Sequence, residues 1–499
     1  MSPHPIHTCQ QSKDLDRLVI EEFGTPGFEL MTRAGRGAFH TLQKHWPNCE
    51  RISVICGGGN NGGDGYILAT AALQSGISTR VYQLGSPATP DARKASDGYL
   101  ELSGDVENLD DGIGFEDCDL VVDALFGSGL TRDIEGWLHS IIDSLNSSGK
   151  PVLALDIPSG LDGDSGAVRG TAVRADVTAT FISTKLGLII GEGKDHRGKL
   201  EVDTLGIPQE AYARIGETAA LIDLDSLAAQ KLKRKADSHK GSFGRILVIG
   251  GNSTMQGAAV MAAQAACRAG AGLVSVASPS GCAELIASVV PEVRGFAVNQ
   301  AEEIEMMLHQ YGVIGIGPGL GQDEWSQSVW NIASVADVPL VVDADALNLL
   351  AESPRSRDDW ILTPHPGEAG RLLGIPTREV QKDRISSAER IVEKYGGICV
   401  LKGSGTIVAG GQRLWICDRG NPGMATGGMG DVLTGVICAL RAQGLTAEET
   451  ACLGVWLHAK AGDDSSAEAG EIGMIATDLL PGIRTNLARA IEGAGTVKS

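Results

Sequence analysis

Short apolar runs alternate with longer amphipathic segments along most of the chain. The runs at residues 51–56, 79–84 and 120–124 are short and contain several β-branched side chains, which predicts buried strands. Residues 14–45 instead carry apolar side chains at three-to-four spacing, which predicts a helix with one core-facing side. Alternation of strands and helices is typical of an α/β fold built on a parallel sheet.

The alternation loosens between residues 209 and 225 and begins again at Gly244. The chain, at 499 residues, is also longer than one ordinary hydrophobic core supports. We therefore predict two α/β domains, residues 1–222 and residues 223–499.

Charge and cysteine usage narrow the class of protein. The net charge of -20 disfavours nucleic acid or an anionic membrane as a partner, so any phosphate site must be local. The ten cysteines form no C-x-x-C pair, which favours reduced thiols. Because the first residues have no basic segment followed by an apolar core, and no later run has transmembrane length, we expect a cytoplasmic protein.

A glycine-rich segment follows the first predicted strand. Gly57, Gly59 and Gly62 satisfy the G-x-G-x-x-G pattern of dinucleotide-binding loops. The next strand, however, ends without an acidic residue for a ribose, and the intervening Asn60, Asn61 and Asp64 are more polar than a pyrophosphate turn requires. We therefore predict a site for a metal ion or a carbonyl-rich ligand at this turn.

Two further strand ends in this half supply matching groups, Asp123 from one and Asp156 and Ser159 from the other. Groups at the carboxyl ends of parallel strands converge in one crevice. The trio Asn61, Asp123 and Ser159 offers only oxygen ligands, which suits a hard cation such as potassium or sodium and not zinc. Each aspartate alone would more often serve a turn or a cap, and the coincidence of three strand ends favours a site.

The second half combines a candidate nucleotide loop with a glycine-rich helix start. Lys402-Gly-Ser-Gly-Thr406 offers a cation, hydroxyls and main-chain amides for a phosphate. The stretch 421–435 carries three glycines and Asp431 before an apolar run, so its free N–H groups suit an anion and Asp431 could take a proton from a hydroxyl. Together these are components of phosphoryl transfer to a hydroxyl. His365 is either a substrate ligand or an ordinary turn residue, and at most one of Asp343 and Asp345 should point inward if both lie on a strand.

Several of these motifs are familiar. Residues 58–65, 122–129 and 156–160 resemble the NAD(P)H-hydrate epimerase domain, and residues 240–245, 363–368, 402–406 and 421–435 resemble the ribokinase-like NAD(P)H-hydrate dehydratase domain. The resemblance implies an N-terminal Rossmann-like three-layer αβα domain and a C-terminal ribokinase-like α/β domain. It also implies metabolite repair, in which the first domain interconverts R and S hydrates of NADH and NADPH and the second dehydrates the S form with ADP, giving AMP and phosphate.

The resemblance assigns residue roles as well. Asp156 and Asp431 would be catalytic, and potassium would be held by Asn61, Asp123 and Ser159. The remaining ligands of the hydrate would be Asn60, Asn61, Gly62, Gly63, Asp64, Gly127, Ser128, Gly129, Leu130, Thr131, Arg132 and Asp133 in the first domain and Ala258, Gly319 and His365 in the second. The nucleotide would be held by Lys402, Gly403, Ser404, Gly405, Thr406 and Gly430, with a magnesium ion beside ADP.

Two alternative functions are consistent with the sequence. The second half has what a small-molecule kinase for a vitamin or sugar needs, and the first half could bind a nucleotide without catalysis. Besides the hydrates and ADP, we expect a second copy of the chain as a partner in a homo-oligomer.

Overall fold

A computed structural model describes residues 5–110 and 113–493. The chain divides into two compact units, Pro5–Ala219 and the residues from Ala220 onward. Within the described ranges, no helix is long and apolar enough to cross a membrane. The predicted α/β fold is confirmed in both units.

The N-terminal unit contains a seven-stranded sheet in which every neighbouring pair is parallel. Its strands are β1 (Pro5–His7), β2 (Arg51–Cys56), β3 (Ser78–Gln83), β4 (Asp105–Asn108), β5 (Leu120–Ala124), β6 (Val152–Leu155), β7 (Val177–Phe181), β8 (Thr184–Lys185) and β9 (Lys199–Asp203). Its helices are α1 (Cys9–Glu21), α2 (Gly27–His45), α3 (Asn60–Gln74), α4 (Pro90–Glu101), α5 (Trp137–Ser147), α6 (Gly193–Arg197) and α7 (Gln209–Ile215). The sheet order is β4-β3-β2-β5-β6-β7-β9, and β1 pairs separately with β8.

Two apolar clusters pack on opposite faces of this sheet, which makes the unit a three-layer αβα structure. One contains Leu30, Leu42 and Leu68 from α2 and α3, and the other contains Ile141 and Leu145 from α5. The strands are almost continuously apolar because both faces of a parallel sheet are covered.

The predicted helix over residues 14–45 is two helices. Thr8 and Gln11 form a capping box that starts α1 earlier than predicted. The chain then breaks between Glu21 and Gly27, where Gly24 has φ +73° and Pro26 precedes α2. A left-handed glycine followed by a proline cannot continue a helix, so the apolar spacing alone overstated its length.

The C-terminal unit contains a second sheet, parallel except around β18. Its strands are β10 (Ala219–Leu221), β11 (Arg245–Ile249), β12 (Leu273–Ser278), β13 (Arg294–Ala297), β14 (Val313–Ile316), β15 (Leu340–Val342), β16 (Trp360–Leu362), β17 (Ile398–Leu401), β18 (Thr406–Ala409) and β19 (Trp415–Cys417). Its helices are α8 (Gln256–Arg268), α9 (Cys282–Val289), α10 (Ala301–Leu308), α11 (Glu324–Ala333), α12 (Ala344–Glu352), α13 (Pro366–Leu373), α14 (Thr377–Lys382), α15 (Arg384–Tyr395), α16 (Met429–Ala442), α17 (Ala447–Ala469) and α18 (Leu479–Glu492). The strand order is β13-β12-β11-β14-β15-β16-β17-β18-β19-β10.

Helix α16 lies in the core of this unit, with a continuous buried run from Val432 to Leu440. It packs closely on α8, because a Cβ at Gly435 would lie 2.0 Å from the main-chain oxygen of Ala262. The buried helix predicted from the apolar run is therefore present, and it begins at Met429.

Candidate active sites

A pocket of the N-terminal unit lies at the carboxyl ends of β2 and β5. Strand order reverses between these two strands, and such a switch point opens a crevice in an open α/β sheet. The pocket has a volume of about 510 Å³ and is lined by Asp16, Met31, Asn60, Asn61, Asp64, Gly127, Ser128, Gly129, Leu130, Asp156 and Lys185, among others. The structure thus brings together most of the side chains predicted for the first site.

Asp156 is held in this pocket by a buried lysine. The backbone of Asp156 has φ +64°, which is strained for a residue with a side chain. Lys185 Nζ lies 2.5 Å from Asp156 Oδ1 and also donates to the main-chain oxygen of Phe181 at 2.6 Å. The lysine is 2% exposed, so its charge is balanced inside the protein by this carboxylate.

Lys185 was not predicted as a site residue. It lies in the two-residue strand β8, which pairs with β1 across a long stretch of sequence. The available signal was a lone lysine within the apolar segment 181–190, where a charged side chain needs a partner.

Asn61 has unsatisfied hydrogen-bonding atoms in the same pocket. Both amide atoms of its side chain, Nδ2 and Oδ1, are buried and have no hydrogen-bond partner in the described structure. A Cβ at Gly127 would lie 2.9 Å from Asp156 Oδ2 and 3.2 Å from Asn61 Cγ, so only glycine allows this approach. Buried amides without partners are costly, and this one therefore indicates a bound group that the amide contacts.

Asp123 and Ser159 are buried, do not line this pocket, and are hydrogen-bonded to each other. Ser159 donates to Asp123 from its main-chain N at 2.8 Å and from its hydroxyl at 2.6 Å. Burial raises the pKa of Asp123 to about 6, although the hydrogen bonds from Ser159 oppose this shift. The N–H of Phe126, next to Gly127, donates to the Ser159 hydroxyl at 2.8 Å and joins this pair to the loop beside Asn61.

The pocket also contains carboxyl groups that have no cation beside them. Burial raises the pKa of Asp64 well above its usual value, and the nearby charge of Asp156 raises it further. Burial raises the pKa of Asp16 as well, against the opposing charge of Lys185. One buried lysine therefore shares this pocket with three aspartates, Asp16, Asp64 and Asp156.

The other predicted ligands of the first domain occupy two elements. Asn60 to Asp64 form the first turns of α3, which begins directly at the glycine turn. Gly127 to Leu130 line the pocket, whereas Thr131, Arg132 and Asp133 are exposed in the loop before α5.

The second site lies at the ends of β15, β16 and β17 and at the start of α16. Its pocket, of about 390 Å³, is lined by Asp343, Ala344, His365, Pro366, Glu368, Lys402, Gly403, Gly428, Gly430 and Asp431. The sequence expectation for the pair at 343 and 345 assumed that both lie on the strand, but β15 ends at Val342. Asp343 points into the site, and Asp345 caps a turn by accepting the N–H of Gly321 at 2.8 Å.

Asp343 and Lys402 form a buried ion pair. Lys402 Nζ lies 2.8 Å from Asp343 Oδ1, and the hydroxyl of Thr434 donates to Asp343 Oδ2 at 2.8 Å. Burial disfavours the charged carboxylate, but Lys402 and the hydrogen bonds hold the pKa of Asp343 below its usual value. The lysine therefore stays protonated and the aspartate stays ionised.

Asp431 lies in the first turn of α16 and has no such partner. Burial raises the pKa of Asp431 to about 7, and the charge of Asp343 raises it further while Lys402 lowers it. Gly428 starts the helix at φ +90°, which only glycine adopts without strain. The first N–H groups of the helix and a carboxylate that titrates near neutrality thus face one pocket.

The candidate nucleotide loop is the turn of a hairpin. Lys402 to Gly405 connect the antiparallel strands β17 and β18, and the Lys402 N–H donates to the main-chain oxygen of Pro364 at 2.9 Å. A Cβ at Gly430 would lie 3.1 Å from Lys402 Nζ, so the loop and the start of α16 meet as the prediction requires.

His365 is the N-cap of α13. Its Nδ1 accepts the N–H of Gly367 at 3.0 Å, so the ring proton lies on Nε2, which is 3.3 Å from Glu368 Oε1. Burial and the charge of Lys402 lower the pKa of His365, which keeps the ring neutral at pH 7. Capping is thus one role of this histidine, and its half-exposed ring also lines the pocket.

Ala258 and Gly319, also predicted ligands of the hydrate, are neighbours. Gly319 has φ +58°, and a Cβ there would lie 3.1 Å from the Cβ of Ala258 on α8. Ala258 comes after β11 and Gly319 after β14, and the strand order of the second sheet reverses between these two strands.

The folds and the two polar pockets define a two-domain α/β enzyme with one site in each unit. The model of the NAD(P)H-hydrate dehydratase family matches residues 246–484, and the model of the YjeF-related protein N-terminus matches residues 27–187. The bifunctional NAD(P)H-hydrate repair enzyme Nnr of Coxiella burnetii is 43% identical, over 96% of this chain and 98% of its own. That of Escherichia coli is 39% identical, over 96% of this chain and 93% of its own. The chain belongs to the bifunctional NAD(P)H-hydrate repair enzyme family.

One similar solved structure is the ADP/ATP-dependent NAD(P)H-hydrate dehydratase from Bacillus subtilis, co-crystallised with ATP and Mg²⁺. It is 29% identical, with a TM-score of 0.49, and the match covers 55% of this chain and all of that one.

Proposed function

We propose that the chain repairs hydrated NADH and NADPH in two steps. The N-terminal unit interconverts the R and S hydrates, and the C-terminal unit dehydrates the S hydrate with ADP. The observation that carries the proposal is Asp431, whose pKa of about 7 is matched to proton removal near neutrality, beside a lysine and a helix N-terminus suited to phosphates.

The chemistry of the second step follows from the substrate. Hydration leaves a hydroxyl on C6 of the reduced nicotinamide ring, and hydroxide is a poor leaving group. Asp431 takes the proton of this hydroxyl. The hydroxyl oxygen then attacks the β-phosphorus of ADP, and AMP leaves. The C6–O bond then breaks with phosphate taking the electron pair as the ring nitrogen donates its own. Loss of a proton from C5 restores the dihydropyridine of NADH or NADPH.

The residues that would hold the nucleotide are those of the hairpin and the helix start. Lys402 Nζ and the N–H groups from Gly403 to Thr406 suit the phosphates of ADP, and Gly430 leaves space beside the lysine. Glu368, whose carboxylate lies 3.9 Å from Lys402 Nζ in the same pocket, would hold a magnesium ion beside the phosphates. When bound, the ion would neutralise charge on the transferring phosphoryl group.

For the first step we propose Asp156 as the proton acceptor at the C6 hydroxyl. As that proton is removed, the C6 oxygen forms a carbonyl and the C6–N1 bond breaks, with N1 taking the electron pair and a proton. Rotation about the C5–C6 bond then lets N1 lose this proton and add to the other face of the carbonyl, which returns the proton to the oxygen and inverts C6. Lys185 Nζ, 2.5 Å from Asp156 Oδ1, is an N–H donor in the same pocket. The predicted ligands from Asn60 to Asp64 and from Gly127 to Asp133 remain our proposal for the hydrate site.

We also propose a potassium ion at Asn61, Asp123 and Ser159. The unpartnered Asn61 amide and an all-oxygen donor set with one carboxylate support a monovalent cation. Epimer exchange should then be faster in potassium chloride than in choline chloride at equal ionic strength, and Asn61→Ala should remove that difference. Equal rates in both salts for the wild-type protein would overturn the assignment.

A mixed-epimer hydrate of NADH tests the whole proposal. With ADP, the absorbance of the dihydropyridine should recover completely, because the R form is converted to the S form as the latter is consumed. Recovery of only half would show a dehydratase without an epimerase. A stable phosphorylated product would instead indicate a small-molecule kinase.

A homo-oligomer, the domain boundary after residue 222 and a cytoplasmic location remain predictions from the sequence. Sedimentation of the purified chain would test the first of them.

A further inference from the structure

A buried arginine lies directly beneath the candidate nucleotide loop. Arg384, the first residue of α15, is 2% exposed. Its Nη2 donates to the main-chain oxygens of Leu401, Lys402 and Gly405, at 3.3, 3.3 and 3.2 Å. One guanidinium nitrogen therefore joins both sides of the hairpin turn.

These contacts determine which way the main chain of the turn faces. A peptide whose oxygen points down to the guanidinium presents its N–H on the other side. The oxygens of Lys402 and Gly405 are held from beneath, so the N–H groups of Gly403 and Thr406 in the same peptides face the other side of the loop. The N–H of Lys402 instead donates to the main-chain oxygen of Pro364 at 2.9 Å. The turn thereby becomes a donor-rich surface.

The packing at Gly403 shows how closely the arginine fits. A Cβ at Gly403 would lie 2.8 Å from Arg384 Nη1, and the glycine has φ +138°, in a region that side chains rarely adopt. The sequence Lys-Gly-Ser-Gly-Thr therefore needs its first glycine for the guanidinium as well as for a nucleotide.

The charge of Arg384 has no carboxylate partner among residues 5–110 and 113–493. Its remaining side-chain contact is neutral, from Nη1 to Gln381 Oε1 at 2.9 Å. Burial lowers the pKa of Arg384 to about 10, which still leaves the guanidinium protonated at pH 7. A buried charge without a counter-ion is expensive, and an anion bound on the other side of the loop would offset the cost.

We propose that Arg384 is a positioning residue of the nucleotide site, which holds the 402–406 turn with its N–H groups toward the phosphates of ADP and supplies positive charge from beneath. This inference rests on the proposed function of the C-terminal unit. It assigns a role in nucleotide affinity to a side chain that the turn itself shields from the nucleotide.

The test measures ADP binding by isothermal titration calorimetry on the full chain. Arg384→Gln removes the charge, and Arg384→Lys keeps the charge but not the planar guanidinium whose Nη2 contacts the turn while Nη1 contacts Gln381. The matched control is Arg357→Gln. Arg357 also donates to two main-chain oxygens, those of Ser334 and Val338 at 3.0 Å, but it pairs with Asp359 and lies before the amino end of β16, whereas the site lies at the carboxyl ends of the strands.

We expect the Kd for ADP to rise about tenfold or more in Arg384→Gln, as loss of hydrogen bonds to a charged group does, and to rise less in Arg384→Lys. The Arg357→Gln variant should bind ADP as the wild type does. A merely structural role would lower the number of binding sites per chain, or the melting temperature, without changing the Kd of the sites that remain. Epimer exchange by the same samples reports on the N-terminal unit and should be unchanged.

Wild-type Kd in both Arg384 variants would overturn the inference, and so would an equal rise of Kd in the Arg357 control. If Arg384→Gln does not fold, Arg384→Lys decides by the same comparison of Kd and binding stoichiometry. Absence of ADP binding by the wild-type chain would instead contradict the proposed function, so the two failures are distinguishable.

Discussion

Replacing Asp431 by asparagine removes the proposed base of the dehydratase site and keeps the size of the side chain. Asp431 is the carboxyl group of this pocket whose pKa burial raises to about 7, while Asp343 is held ionised by Lys402. If Asp431 takes the proton of the C6 hydroxyl, its ionised fraction controls the rate of dehydration. The variant should lose that control together with most of the rate.

The pKa gives the size of the pH effect. With a pKa of about 7, about a tenth of the molecules carry an ionised Asp431 at pH 6 and about nine tenths do at pH 8. Dehydration of the S hydrate by the wild type should therefore rise roughly tenfold between these pH values. Removal of a general base typically costs about a hundredfold or more, so Asp431→Asn should be slower by that factor at pH 8 and nearly independent of pH.

Initial rates of absorbance recovery with saturating ADP and S hydrate measure this effect. Burial raises the pKa of Asp431 from 3.8 to about 7, so the native state loses stability as the pH rises between these values and the full cost of the ionised group is present at pH 8. A neutral asparagine avoids this cost, so the variant should stay folded. Its melting temperature at pH 8 should not fall below that of the wild type, and epimer exchange should continue. A variant that keeps more than about a tenth of the wild-type rate, or a flat wild-type profile from pH 6 to 8, would refute the assignment.

Three further substitutions test the other parts of the structure. Asp156→Asn should abolish epimer exchange while the S hydrate is still dehydrated, and normal exchange in that variant would contradict the catalytic role. Lys185→Met leaves the Asp156 carboxylate without its cation, so we expect slower epimer exchange and a free energy of unfolding lower by about 3 kcal/mol in chemical denaturation. An unchanged free energy of unfolding would show that the Lys185–Asp156 pair does not stabilise the fold. Gly435→Ala places a Cβ 2.0 Å from a main-chain oxygen of α8 and should destabilise the C-terminal unit by about 1–3 kcal/mol, whereas Gly257→Ala, in open space on α8, should not lower its melting temperature.

The residues found from the sequence share one property, which is that each lies where a strand ends or a glycine turn begins. Asp123, Asp156 and Ser159 follow apolar runs, and a parallel sheet gathers the carboxyl ends of its strands at one edge. Local pattern and general topology together are then sufficient to predict a shared crevice. The same reasoning places Lys402 beside the start of α16.

The residues that were missed depend on contacts that no local pattern records. Lys185 reaches Asp156 from a two-residue strand that exists because it pairs with β1, and Arg384 reaches the nucleotide turn from the start of the preceding helix. Both residues are buried cations. The sequence marks such a residue only by the presence of a charged side chain in a segment that is otherwise buried, and not by a regular spacing of residues. The break between α1 and α2 was missed for a related reason. The helical spacing of apolar residues continues past Gly24, but the left-handed backbone of this glycine ends the helix.

In the pocket of each unit, one lysine forms an ion pair with one aspartate and not with a second aspartate nearby. Lys185 lies 2.5 Å from Asp156, and Lys402 lies 2.8 Å from Asp343. In each pocket a second aspartate, Asp64 or Asp431, is buried beside the pair without a cation of its own, and burial raises its pKa. In the second pocket Asp343 and Asp431 therefore have different proton affinities, which acid–base chemistry on a hydroxyl requires. Lys402 holds the pKa of Asp343 below its usual value, and Asp431 is the aspartate of this pocket whose pKa burial raises to about 7.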